Sequence, residues 1–130
     1  MYPRLVIDIN KLRSNLDAVA HITKEEGNCS LMIVTKGLCA DKEMVQMVAQ
    51  HPSVDFVADS RVKNIKSYAE EVRKNGKKTV LLRIPMHDEV SEVVKYVDLS
   101  FNSELSTIRL LNEEAGKTGV IHNVLLMIDL

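Results

Sequence analysis

Short apolar runs typical of β-strands alternate along the chain with segments whose apolar residues recur at helical spacing. Each segment between two runs places apolar side chains three and four positions apart, which indicates an amphipathic helix. The pattern therefore predicts β-α units repeated five times, followed by a sixth strand. The predicted strands cover residues 5–9, 31–34, 54–58, 79–84, 97–101 and 123–128.

Polar residues stand where the predicted helices should begin. Asn10 and Asp41 can cap the first two helices, and Asp59 or Ser60 can cap the third. Short polar side chains favour these positions because they accept hydrogen bonds from the free N–H groups of the first turn. Gly76 stands where a helix should end.

The alternation restricts the fold to two α/β architectures. Short links between parallel strands require right-handed crossovers, which leaves an open doubly wound sheet or a (β/α)8 barrel. Such a barrel takes about 250 residues, whereas this sequence has 130 and stops directly after the sixth run. We therefore expect residues 1–130 to be the N-terminal part of one longer domain, with exposed sheet edges and poor stability by itself.

Composition excludes several classes of protein. Apolar residues make up 45% of the chain and aromatic residues 4%, so the core is aliphatic, as in strands buried on both faces. The net charge of -1 argues against nucleic acid as a partner. Neither a signal peptide nor a membrane span of about 20 apolar residues is present, which favours a cytoplasmic protein. The spacing of Cys29 and Cys39 does not fit a structural zinc site, and a disulfide is not expected without a sign of secretion.

Polar residues follow directly after the apolar runs. The candidates are Lys36, Asp59 with Ser60, Arg83, Asn102 with Ser103, and Asp129. Ligands gather at the carboxyl ends of parallel strands. Polar residues are also common there because strands end at the surface, so position alone gives none of them a chemical role.

Lys36 has the most informative surroundings of these candidates. It follows the apolar run and Thr35 and precedes Gly37, so we expect its amine to project from a dry, aliphatic strand end. Desolvation disfavours the ammonium form, and a lysine that condenses with an aldehyde reacts as the neutral amine. The long side chain could also reach solvent without any chemical role.

Arg83 lies inside the fourth predicted strand. A guanidinium in a buried strand needs an anionic partner, and Asp59, Asp129, a cofactor oxygen and a substrate carboxylate are the candidates. A structural ion pair and a catalytic role are both compatible with this position. The four histidines do not cluster, and the chain contains neither GxGxxG nor GxxxxGK[ST], which disfavours dinucleotide and P-loop sites.

The order of segments resembles the alanine racemase N-terminal domain family, which consists of barrel proteins that use pyridoxal phosphate. Leu5-Val6-Ile7-Asp8-Ile9-Asn10 is similar to the family's opening motif, E-I-D-L-x-A-L-x-x-N. Met32-Ile33-Val34-Thr35-Lys36 is similar to the strand that ends in the cofactor lysine. Residues 55–60, 97–103 and 124–129 resemble later strands, so the resemblance covers essentially the whole chain.

This resemblance implies a (β/α)8 TIM-type barrel of which only the first part is present, an N-terminal strand and about five barrel strands. It implies an amino-acid racemase in which Lys36 forms an internal aldimine with pyridoxal 5'-phosphate and later acts as a base at the substrate Cα. Arg83, Asn102 and Ser60 are the further candidate cofactor contacts. A homodimer is the candidate assembly, because relatives that complete their sites across subunits are dimers.

Within the family, Val34-Thr35-Lys36-Gly37 looks more like the ornithine-racemase branch than alanine racemase proper. The latter has a phosphate-holding tyrosine shortly after its lysine, where this chain has Leu38-Cys39-Ala40. The expected substrate is therefore ornithine or another basic amino acid. Two alternatives stay open: a non-catalytic pyridoxal-phosphate homeostasis protein of the same fold, and a small partner-binding module in which Lys36 and Asp59 form a surface ion pair.

Overall fold

Five parallel strands form one sheet in this computed structural model, which describes residues 2–128. Each strand pairs with the next one along the chain. A doubly wound sheet reverses its strand order at a switch point, so the sequential order fits the first part of a barrel and confirms the predicted α/β class. The strands are β1 (Met32–Val34), β2 (Phe56–Asp59), β3 (Lys78–Leu81), β4 (Leu99–Asn102) and β5 (Asn123–Leu126).

Helices connect the strands, as the sequence pattern predicts. The first helix continues into a π-helical turn over His21–Glu26, and 3-10 turns cover Lys36–Leu38 and His87–Glu89. Within residues 2–128, no helix combines the length and apolarity that crossing a membrane requires. The helices are α1 (Ile9–Ala20), α2 (Lys42–Gln50), α3 (Val62–Lys74), α4 (Val90–Tyr96) and α5 (Leu105–Thr118).

Helix caps follow the sequence prediction only in part. Asp41 caps α2, since its side chain accepts a hydrogen bond from the N–H of Met44 at 3.0 Å. The cap predicted at Asn10 is wrong, because α1 begins at Ile9 and Asp8 caps it. The cap predicted at Asp59 or Ser60 is also wrong, because α3 begins at Val62 and Asp59 ends β2.

The strand predicted at residues 5–9 is wrong for the described structure. Residues 2–8 have no regular secondary structure, and Leu5 and Val6 are 80% and 85% exposed. A strand needs a neighbour for its N–H and C=O groups, and no strand within residues 2–128 pairs with this segment. The apolar pattern of the segment therefore does not produce a strand here.

The main core lies between the sheet and its helices. Val57 and Leu81 point to that side and are fully buried with Ile65 of α3 and Val93 of α4. Side chains alternate between the two faces of a strand. The opposite face, called the inner face here, therefore carries Val34, Phe56, Phe101 and Leu125, which are partly exposed, and Ala58 and Val80, which are buried.

Candidate functional site

The carboxyl ends of the five strands lie along one edge of the sheet because all the strands are parallel. Lys36 follows β1, Ser60 follows β2, Arg83 follows β3 and Asn102 ends β4. The structure thus places all four predicted site residues at this edge. Asp129, another strand-end candidate, lies outside the described residues.

Lys36 opens the 3-10 turn that directly follows β1, and its side chain is exposed. The expected dry strand end is not found, because β1 is an edge strand and Val34 is 43% exposed. Among residues 2–128, Lys36 forms no ion pair. Its primary amine is therefore accessible, and this donor chemistry fits a cofactor that carries an aldehyde.

The turn after Lys36 contains two residues with left-handed backbone, Cys39 at φ 51° and Ala40 at φ 56°. This conformation costs about 1–2 kcal/mol for each L-residue. The carbonyl of Thr35 accepts hydrogen bonds from the N–H groups of Leu38 and Ala40, both at 3.2 Å. These bonds hold a strained turn beside the candidate lysine, and backbone strain of this kind is concentrated at functional sites.

Thr35, which directly precedes Lys36, belongs to a buried polar network. Thr35 and Asp59 are both 0% exposed, and the Thr35 hydroxyl donates to Asp59 Oδ2 at 2.7 Å. Asn64 Nδ2 and the N–H of Arg61 donate to the same carboxylate at 3.1 and 2.9 Å. The surface ion pair between Lys36 and Asp59, which the partner-binding alternative requires, is therefore wrong: Asp59 is buried and bonded elsewhere.

Tyr68 of α3 closes this network. Its hydroxyl lies 3.4 Å from the Thr35 hydroxyl, and its side chain is 5% exposed. Burial, aided by the nearby Asp59 carboxylate, raises the pKa of Tyr68 far above its ordinary value, although the contact with Thr35 acts in the opposite direction. Tyr68 therefore stays protonated and can serve as a hydrogen-bond donor.

Arg83 lies beyond the end of β3 rather than inside a buried strand. Its Nε donates to the carbonyl of Ser60 at 2.7 Å, its Nη1 to the carbonyl of Ile84 at 3.1 Å, and its Nη2 to Glu89 Oε1 at 2.8 Å. Glu89, which is not among the partners predicted from sequence, is the anion that the guanidinium needs. The hydrogen bond from Arg83 lowers the pKa of Glu89 below its usual value.

Asn102 belongs to a separate buried group. Its Nδ2 donates to the carbonyl of Ser100 at 3.1 Å, and Ser100 Oγ lies 2.7 Å from His122 Nε2. Leu81 pairs with Ser100 in the sheet, so Ser100 and Asn102 point to the helices. Within the described residues, the buried Oδ1 of Asn102 has no hydrogen-bond partner.

The structure therefore brings together two of the four predicted site residues. Ser60 and Arg83 are joined by a hydrogen bond, in which Ser60 takes part through its backbone carbonyl. Among residues 2–128, Lys36 and Asn102 have no hydrogen bond to either of them. The sequence pattern did not identify two residues near these candidates. Thr35 precedes Lys36 and bonds to Asp59, and Glu89 pairs with Arg83.

Comparison with known proteins identifies a family and a relative of this chain. Residues 7–130 match the family model described as alanine racemase, N-terminal domain. Over 130 residues the chain is 42% identical to an ornithine racemase from Acetoanaerobium sticklandii. All of this chain is covered, and it spans 35% of that relative's length. The resemblance drawn from the opening and lysine motifs is thereby confirmed.

Proposed function

The chain belongs to the alanine racemase N-terminal domain family, and on this basis we propose that the protein is a pyridoxal-phosphate-dependent racemase of ornithine or another basic amino acid. The observation that carries the proposal is Lys36, an exposed amine without an ion pair in the described chain, at the carboxyl end of β1. The relative named ornithine racemase supports the choice of substrate. Residues 1–130 would supply the first part of one cofactor-binding barrel domain.

Lys36 has two tasks in this proposal. It would hold the cofactor through its amine, and the neutral amine can also accept and return a proton at Nζ. Pyridoxal phosphate, when bound, supplies an electron sink for the charge left at the substrate Cα. Racemisation also requires a proton donor on the opposite face of that carbon, a task that we assign to none of the four predicted residues.

Arg83, Ser60 and Asn102 remain proposed cofactor contacts. The hydrogen bonds that they already make limit which groups can take part. Arg83 retains N–H groups that Ser60, Ile84 and Glu89 do not occupy, since a guanidinium carries five donors. Asn102 retains only its Oδ1.

Replacing Lys36 tests the proposal directly. In the full-length gene product, Lys36→Ala is expected to abolish both attachment of pyridoxal phosphate and interconversion of D- and L-ornithine, because within residues 2–128 no other lysine directly follows the end of β1. Borohydride reduction converts the carbon–nitrogen double bond to a stable single bond, so peptide mass spectrometry identifies the modified lysine. Chiral chromatography measures the interconversion.

Lys42→Ala is the matched control, since Lys42 is also exposed and lies six residues further along the chain. It is expected to leave attachment and interconversion unchanged. Modification of other lysines with Lys36 untouched would contradict the assignment. Modification of Lys36 without interconversion of ornithine or lysine would contradict racemisation and favour the non-catalytic homeostasis protein.

A further inference from the structure

Asp59 is a charged side chain in an unusual place. It is 0% exposed, and no lysine or arginine within residues 2–128 forms an ion pair with it. Burying a carboxylate is costly unless its oxygens are hydrogen-bonded. Three donors meet this need: the Thr35 hydroxyl, the amide of Asn64 and the N–H of Arg61. The carboxylate thus ties the end of β1 to the start of α3.

Thr35 connects this carboxylate to Lys36, which is the next residue in the chain. The N–H of Thr35 donates to the carbonyl of Ala58 at 2.8 Å, and its carbonyl accepts the N–H groups of Leu38 and Ala40. With the hydroxyl bonded to Asp59, every polar group of Thr35 has a partner. The peptide that carries Lys36 is therefore fixed both to β2 and to the strained turn.

Lys36 needs such a restraint because its own side chain has none in the described structure. The side chain is exposed, and within residues 2–128 it has no ion pair that would hold its amine in place. A reactive group must be held close to its productive geometry, and a displacement of about 1 Å can reduce rates by about 100-fold. The backbone is the part of Lys36 that the fold restrains.

We propose that Asp59 and Thr35 are a positioning pair: the carboxylate fixes Thr35, and Thr35 fixes the backbone of the cofactor lysine. This inference rests on the proposed function of Lys36. Neither residue touches the cofactor in this proposal. Both act through the geometry of the peptide between β1 and the following turn.

A second threonine–aspartate bond at the opposite end of the sheet supplies a matched control. Thr79 is also 0% exposed, and its hydroxyl donates to Asp98 Oδ2 at 2.9 Å while lying 2.8 Å from the carbonyl of Tyr96. Thr79 lies near the amino end of β3, far along the chain from Lys36. Loss of this bond should affect stability without affecting the lysine.

The experiment compares Thr35→Val with Thr79→Val in the full-length gene product. Two quantities are measured: the midpoint of thermal unfolding, and the rate at which borohydride fixes pyridoxal phosphate on Lys36, followed by peptide mass spectrometry. Both variants are expected to lower the midpoint by similar amounts. Only Thr35→Val is expected to slow modification of Lys36, by about tenfold or more. Thr35→Ser retains the hydroxyl, so its Lys36 should be modified at the wild-type rate.

Equal rates for Thr35→Val and Thr79→Val would overturn the positioning role, as would a slow Thr35→Ser variant. Should Thr35→Val fail to fold, Asp59→Asn is compared with Asp98→Asn by the same two measurements, and equal modification rates would overturn the role equally. A wild-type protein in which Lys36 is not modified by pyridoxal phosphate and borohydride is a different result. It would overturn the proposed function itself, and this inference with it.

Discussion

At the scale of single residues, the partial burial of His122 affects how the fold responds to pH. Burial lowers the pKa of its imidazole below the ordinary value of 6.5, although the Val97 carbonyl and Asp98 act in the opposite direction. The neutral ring can accept the hydroxyl of Ser100 at Nε2, 2.7 Å away. The folded state therefore favours the uncharged form.

The expected consequence is a loss of stability on acidification. Because the unfolded chain binds a proton more readily than the folded chain, stability is fully present above pH 6.5 and decreases as pH falls through the lowered pKa. His122→Gln removes this titration. The decrease in thermal midpoint between pH 7.5 and pH 5.5 (a range of about two pH units around the histidine pKa) should be smaller in the variant than in the wild type. An identical decrease would show that His122 is not its source.

For individual residues, the sequence predicts the position in the fold better than it predicts which other residues they contact. Lys36, Ser60, Arg83 and Asn102 could be placed at strand ends from the apolar runs, since a run and its end are local features. The partner of Arg83 could not, because Glu89 lies in a connection whose path depends on how α4 packs. The bond between Thr35 and Asp59 joins residues 24 positions apart, and no local pattern contains it.

At the scale of elements, the connection between β3 and α4 contains the ion pair between Arg83 and Glu89. Arg83 and Glu89 are 29% and 25% exposed, and Glu89 Oε2 also accepts the N–H of Met86 at 3.1 Å. One carboxylate therefore joins the segment after β3 to the 3-10 turn that precedes α4. Because its pKa is lowered, its contribution is present above the unfolded value of 4.5 and is lost as pH falls below it.

Glu89→Gln is expected to destabilise the protein by about 1 kcal/mol at neutral pH and to speed amide hydrogen exchange at residues 84–90. Glu92→Gln is the control, because Glu92 pairs with Lys66 at an exposed position where both side chains are nearly half exposed. Its effect on stability should be close to zero. Hydrogen exchange with mass spectrometry and urea unfolding at neutral pH measure both. Equal effects of the two substitutions would show that the Arg83 connection adds nothing.

Elements with a periodic apolar pattern could be predicted well. All five strands of the sheet and all five α-helices fall where the apolar residues recur, because each element buries its own apolar face. The segment at residues 5–9 has the same pattern and forms no strand here. A strand needs hydrogen bonds to another segment, and the local sequence does not show whether such a segment is available.

At the scale of the whole molecule, the inner face and the two edges of the described sheet carry apolar side chains that are partly exposed. Val34 and Leu125 are 43% and 40% exposed on the inner face, and Leu126 at the β5 edge is 59% exposed. Parallel sheets are normally covered on both faces, and unpaired strand edges template association. The homodimer and the single barrel domain stay predictions.

The 130-residue chain by itself is therefore expected to self-associate. Sedimentation velocity should show species larger than the monomer, increasing with concentration. Leu125→Lys places a charge on the inner face beside the open edge and should shift the distribution towards monomer, whereas Lys117→Ala on the helical side should not. A monomeric wild-type chain with one cooperative unfolding transition would contradict this expectation.

The strand order has a consequence for how the chain is made. Within residues 2–128, each strand after β1 pairs with its immediate predecessor, so none of these strands has to wait for a more distant one before it can dock. During synthesis from the N-terminus, each newly emerged β-α unit finds its template already in place. The sheet can thus form during translation, because the strand added last provides the edge with which the next strand pairs.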